Sequence, residues 1–303
     1  MKHILVVYYS QSGQLTRITD SILKDLVKDS NYQIDYEEIK PVEPYVFPWK
    51  KAQFYDVMPE SVKGIVCELK PSNIDYSKDY DLVILAYQVW YLSPSIPFWS
   101  FLKTKENQSF LKDKKVLTVL GVRNMWVNAY RKVNKELIAS GADQVGNVVL
   151  ADKNNNLLGV ILVVRFVLSG KFKPFKYLPR YGVTESDILN ARSIGNFIKS
   201  SFIENNFSKL QKQIVENKSV FLRFPIRQVE LTGSKIFVKW ANFILKKGGA
   251  GDPKRRLRVL LFKNYLLVLI FTLSPFVILI YTLIGIFFYP FVQKSLRKTA
   301  LMK

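Results

Sequence analysis

Short apolar runs recur along the first half of the chain at the intervals of a layered α/β domain. They fall at residues 4–9, 32–39, 82–87, 116–121 and 145–151. Most are nearly continuous in apolar residues, as strands covered on both faces require. Between them, apolar positions spaced by three and four predict helices over 15–27, about 95–102 and 127–140. Thr184-Glu-Ser-Asp187 reads as a capping box with Asp in place of the usual Glu, opening a helix to about Phe202. Five strands alternating with helices predict a doubly wound α/β fold around a five-stranded parallel sheet. In such a sheet a ligand lies beyond the carboxyl ends of the strands.

The first such end is Ser10-Gln11-Ser12-Gly13-Gln14-Leu15-Thr16. A strand-to-helix turn here presents free backbone N–H groups and the positive end of a helix dipole. Ser10, Ser12 and Thr16 add hydroxyls, and Gly13 lets the backbone bend and approach closely. Arg17 is the one cation nearby. This chemistry suits a phosphate held by amides and hydroxyls, and resembles the flavodoxin-type loop for the phosphate of FMN. The alternative is a Ser/Gly turn that only caps the helix.

The third strand runs into Gln88-Val89-Trp90-Tyr91, and the fourth into Gly121, Arg123, Asn124 and Trp126. A flavin ring needs flat apolar faces and a few polar contacts at its edge. Trp90, Tyr91 and Trp126 could supply faces. Asn124 and backbone amides could read the pyrimidine edge. Arg123 could stabilise a reduced, anionic ring. Alternatively, the tryptophans simply pack the top of the sheet.

The runs "YYSQSGQLT", "QVWYLSPSIP", "GVRNMW" and "GNVVLADKNNNL" together resemble the bacterial dialkylresorcinol condensing enzymes, with a flavodoxin-like fold over residues 1–203. One departure is Leu15, two residues after Gly13, where a flavodoxin loop usually has Thr. The resemblance implies FMN, a lipid-like aromatic precursor as substrate, and a ketosynthase and acyl carrier protein of the same pathway as partners. Condensation of acyl thioesters normally uses a Cys nucleophile with His or Asn partners. Here Cys67 has no His near it, and His3 begins the first strand, opposite the ligand end. Cys67 therefore reads as packing. Such pathways also need a cyclohexanedione-like ring oxidised to an aromatic one, which suits a flavin. The favoured reading is a flavin-dependent oxidoreductase. Its base would be Tyr87, Tyr91 or a water, with no assignment among them. The rivals are a condensing or cyclising enzyme and a non-catalytic scaffold.

Charge separates the tail from the rest. Of 45 Lys+Arg and 24 Asp+Glu, residues 204–303 hold 18 and 4. One His excludes His-rich metal sites, so no metal is expected, and one Cys excludes an intrachain disulfide. No signal peptide is expected, since the chain opens on a strand. Residues 264–293 carry no charge and are flanked by basic clusters, enough apolar length to enter a bilayer. A kinked single span and a re-entrant hairpin turning near Ser274-Pro275 both satisfy this, the hairpin slightly better. Residues 157–170 form a shorter apolar run, a lid, a lipid-dipping surface or core. The chain thus divides into a flavodoxin-like domain (1–203), a basic amphipathic extension (204–258) and a membrane-embedded segment (259–303). It is expected on the cytoplasmic face of the inner membrane, against anionic lipids rather than nucleic acid.

Overall fold

The computed structural model describes residues 1–173 and 176–302. The elements run β1 (Lys2–Tyr8), α1 (Gln14–Leu23), β2 (Tyr32–Glu38), α2 (Lys51–Asp56), α3 (Met58–Lys63), β3 (Leu82–Tyr87), β4 (Val89–Trp90), β5 (Ser93–Pro94), α4 (Ile96–Lys103) and α5 (Lys105–Leu111). They continue with β6 (Lys115–Val122), α6 (Val127–Ala139), β7 (Asp143–Ala151), α7 (Asn156–Ser169), α8 (Glu185–Asn190), α9 (Arg192–Ile203), α10 (Leu210–Glu216) and α11 (Phe224–Leu245). The tail holds α12 (Arg256–Val268), a π-turn (Leu269–Leu273), α13 (Ser274–Phe287) and α14 (Tyr289–Ala300).

Five strands form one parallel sheet in the order β2-β1-β3-β6-β7. This is the flavodoxin-like order, whose switch point lies between β1 and β3. The period-two alternation of strand side chains divides the core. Leu5, Val7, Val83 and Leu85 face one helical layer with Phe98 and Val133. Ile4, Val6, Ile84 and Val119 face the other with Ile18, Ile22 and Ile198. The capping box forms, with Thr184 Oγ1 accepting from Asp187 N at 3.2 Å. The helix it opens is two, α8 and α9, broken at Ala191.

The tail lies against this domain. Helix α11 packs on α3 and α6. From Pro253 to Phe287 the chain is one unbroken helix, antiparallel to α11. Trp240 meets Phe262 and Tyr265 near one end, and Phe224 meets Tyr281 near the other. The hairpin turn considered at Ser274-Pro275 is absent. Proline lacks an N–H and crowds the preceding turn, and the helix widens into the π-turn just before it. Ser274 Oγ donates to Ile270 O there. The reversal comes at Phe288, after which α14 returns to the domain. Gln211 Nε2 then donates to Ala300 O at 2.5 Å, and Met302 packs on the core.

Glu230 joins the tail to the sheet domain. Its buried carboxylate accepts from Asn128 N at 2.7 Å, at the start of α6. Burial outweighs the hydrogen bonds from the first turn and pushes its pKa up to about 7. The folded state thus holds this proton more tightly than the unfolded chain. The stabilisation is full below pH ~4.5 and is lost as pH rises through ~7. Glu230→Gln should flatten the stability–pH profile across that window, a swing of at most about 3 kcal/mol. Urea midpoints at several pH values would read it; equal slopes in variant and parent would exclude Glu230 as the source.

Candidate functional site

A cleft of about 320 Å³ opens at the carboxyl ends of β1, β3 and β6, by the switch point. All three loops singled out in the sequence reach it: Gln11, Ser12, Gln14 and Leu15 from the first, Gln88, Val89, Trp90 and Tyr91 from the second, Gly121, Arg123 and Asn124 from the third. Ser10, Gly13 and Thr16 belong to the first loop but stand outside the lining.

The first loop is built to leave donors free. Gly13 is left-handed, with φ +73°, and its missing Cβ would meet no atom within 4 Å. The N–H groups of Ser12 to Thr16 donate to no protein acceptor among the described residues. Ser10 Oγ is buried without a hydrogen-bond partner, as is Gln88 Oε1 at the neighbouring strand end. Buried polar atoms are rarely left so. Two side chains of the loop have other work. Gln11 accepts from Trp49 Nε1 at 3.2 Å and donates to Tyr45 O at 3.0 Å. Gln14 is bonded at both ends of its amide to the Val183 backbone. These two contribute backbone, not side chains, to any ligand.

Trp90 lines the cleft among rings, with Tyr45 at 5.1 Å, Trp49 at 5.3 Å and Tyr9 at 5.9 Å, all edge-on. Tyr91 and Leu92 form the tight turn between β4 and β5, both at positive φ (47° and 61°). Non-glycine residues are uncommon there. The turn is pinned by Tyr91 Oη donating to Phe54 O and by Asn128 Nδ2 donating to Leu92 O at 2.7 Å. Arg123 Nη1 donates to Asn124 Oδ1, and the guanidinium lies against Gly159 of α7. Burial lowers its pKa, while Tyr181 and Asp152 oppose that.

Trp126, expected as a flavin face, is fully buried and outside the lining. Its Nε1 donates to Phe221 O at 2.6 Å and its ring meets Tyr130. It packs the top of the core against a strand-like segment that follows α10. Tyr87 is excluded as a base: it is fully buried and stacks on Phe98 at 4.5 Å, and burial drives its pKa far up. Tyr91 is also raised by burial and has its hydroxyl committed. Cys67 is half-buried outside the cleft; Ser100 Oγ donates to its sulfur at 3.5 Å, and burial pushes the thiol up. His3 stands at the far end of β1 with Asp81.

Pattern reading missed the wall after β2 and the share of the long apolar helix, whereas the run 157–170 was among its candidates for covering the site. Phe47, Trp49 and Phe54 come from the connection after β2. Val163, Phe166 and Val167 come from α7, Tyr181 from the segment after it, and Leu266 and Ile270 from the long apolar helix. The aromatic density of residues 45–55 was the available signal. A larger cavity of about 460 Å³ is lined by Glu43, Asp56 and Glu60, a carboxylate set unsuited to phosphate. Among the described residues no cluster suits a metal ion.

No family model matches the sequence, and no curated protein does. Similar solved structures include a flavoprotein from Lactobacillus acidophilus in complex with FMN, 20% identical over 49% of this chain and 93% of that one, with a TM-score of 0.39. Another is the Trp repressor binding protein from Bacillus subtilis, 15% identical over 59% of this chain and 100% of that one, with a TM-score of 0.30. The flavodoxin-like fold stands on the strand order, independently of these likenesses.

Proposed function

We propose that this chain is a membrane-attached flavoprotein that holds FMN in the switch-point cleft and oxidises a lipid-like ring precursor. The observation that carries this is the first loop: free amides, an open left-handed Gly13 and the partnerless Ser10 hydroxyl converge at a helix N-terminus. Ser12 and the amides of residues 12–16 would hold the phosphate. Trp90 and Tyr91 would bound the ring, with Gln88, Asn124 and backbone amides at its polar edge. Arg123 would favour negative charge there. When bound, the flavin supplies hydride acceptance, which no side chain offers.

The apolar end, Val163, Phe166, Val167, Leu266 and Ile270, suits an alkylated substrate and excludes water from the ring. Together with the sequence resemblance, this supports aromatisation of a cyclohexanedione-type intermediate in dialkylresorcinol or related pigment biosynthesis. The condensing alternative is weaker, because the Cys67 thiol is unactivated and outside the cleft. The chain is expected to purify yellow, with absorbance near ~450 nm and a copurifying mass equal to FMN. A colourless protein that takes up no added FMN would leave the scaffold reading in its place. Trp90→Ala should weaken FMN by about 1 kcal/mol or more beyond lost area, at least roughly fivefold in Kd. An unchanged Kd by fluorescence titration would place the ring elsewhere.

A further inference from the structure

We propose that attachment is monotopic: the helix from Pro253 to Phe287 lies in the plane of one leaflet of an anionic bilayer, neither crossing nor re-entering it. The proposal rests on the membrane attachment above and not on the flavin.

Both ends of this helix are tied to the same domain. At the start, the fully buried Arg255 pairs with Asp56 at 2.7 Å and Glu60 at 2.5 Å. At the other end, α14 folds back. There Arg227 Nη1 donates to Ser295 Oγ at 2.7 Å, and Gln211 holds Ala300. Between the ends, α11 runs alongside. A span would put the two ends on opposite sides of a hydrocarbon layer about 30 Å thick. That would draw α11 in with them, including Lys235 and Lys239, both exposed. Charges inside a bilayer are costly unless paired or facing water. A re-entrant hairpin turning near Ser274-Pro275 needs a break there, and the helix has none before Phe288.

What remains is an in-plane helix. Its 35 residues reach about 52 Å. Val268, Phe271, Phe276, Leu279, Leu283 and Phe287 are exposed along it at mostly three- and four-residue spacing. The opposite side supplies Leu266 and Ile270 to the cleft, so the apolar end of the cleft would rest on the leaflet. Residues 253–303 contain nine Lys or Arg and no Asp or Glu. Basic residues beside an exposed apolar face are the pattern of an interfacial helix on anionic lipid. A second copy of the chain would bring the same basic clusters against each other, so the leaflet is the complementary occupant.

The test uses the full chain with Cys67→Ser and, singly, Leu261→Cys, Phe276→Cys or Phe287→Cys, each carrying a nitroxide. The probe is vesicles of phosphatidylcholine and phosphatidylglycerol in equal amounts, with depth read from collisions with oxygen and a water-soluble nickel chelate. All three labels should sit at one shallow depth, about 5–10 Å into the headgroup and acyl boundary, with binding weaker on phosphatidylcholine alone. Phe276 markedly deeper than the other two would overturn the proposal in favour of a hairpin. A steady gradient from Leu261 to Phe287 would overturn it in favour of a span or of insertion tip-first with the turn at Phe288. Binding with equal strength to both vesicle types would remove its electrostatic part. Failure to bind vesicles, with the labels shielded in a species of twice the mass, would overturn attachment itself. Flavin absorbance on the same samples reads the proposed function separately.

Discussion

Gly13→Val is expected to give a folded, nearly colourless protein. The argument has two parts. Gly13 sits at φ +73°, where an L side chain costs about 1–2 kcal/mol, and a β-branched one is a clear outlier. A Cβ there meets no protein atom, so the sheet and α1 need not shift. The new methyls instead enter open space beside the loop, and the strained φ at residue 13 disturbs the turn whose free amides a phosphate would need. Loss of that contact should lower FMN occupancy at least tenfold. Gly251→Val is the matched control: φ is +81°, the space is also open, and the residue lies outside the cleft. It should carry the same backbone cost and keep its flavin. Full occupancy in the Gly13 variant, or equal loss in both, would refute the phosphate assignment.

Arg255→Ala should be among the most destabilising single changes outside the sheet. The guanidinium is fully buried and bonds both carboxylates, as well as the Asp56 carbonyl at 2.5 Å. A buried pair is weak evidence of net stability, but removing one partner strands the other. Here two carboxylates would be left at the junction of α2, α3 and the long helix. The expected loss is about 3 kcal/mol, the lower end of the usual range, because Asp56 retains some contact with water. Arg255→Lys should recover only part of it, since a single ammonium cannot reproduce the fork. Urea denaturation of the full chain would measure both. A loss below ~1 kcal/mol in the alanine variant would mean the helix is held mainly by its apolar contacts with α11.

This junction also sets what truncation would do. A chain ending at Gly251 would lose Arg255, the cleft residues Leu266 and Ile270, and the Met302 contact with the core. It would not be a clean soluble domain with an intact site, although the three loops of the site all precede residue 130.

Much of the fold was legible because strand and helix periods are local. The β3 run, Leu82–Tyr87, is buried at all six positions, and the capping box at Thr184 needs only residues three apart. The strand-to-helix turn with its free amides was legible for the same reason, since Ser10 to Thr16 are consecutive. Which aromatics face the cleft was not legible, because burial of a loop residue depends on what covers it. Trp126 is sealed by Phe221, 95 residues later, whereas Trp90 faces the cleft among Tyr45 and Trp49 from a connection with no strand or helix signal. The tail divides the same way. Apolar length and basic flanks are properties of composition, and the sequence alone determined that residues 264–293 are long and apolar enough to enter a bilayer. Only the tertiary structure decided how the helix is oriented. Its ends are held by Asp56, 199 residues before Arg255, and by Gln211, 89 residues before Ala300, contacts that no local pattern encodes.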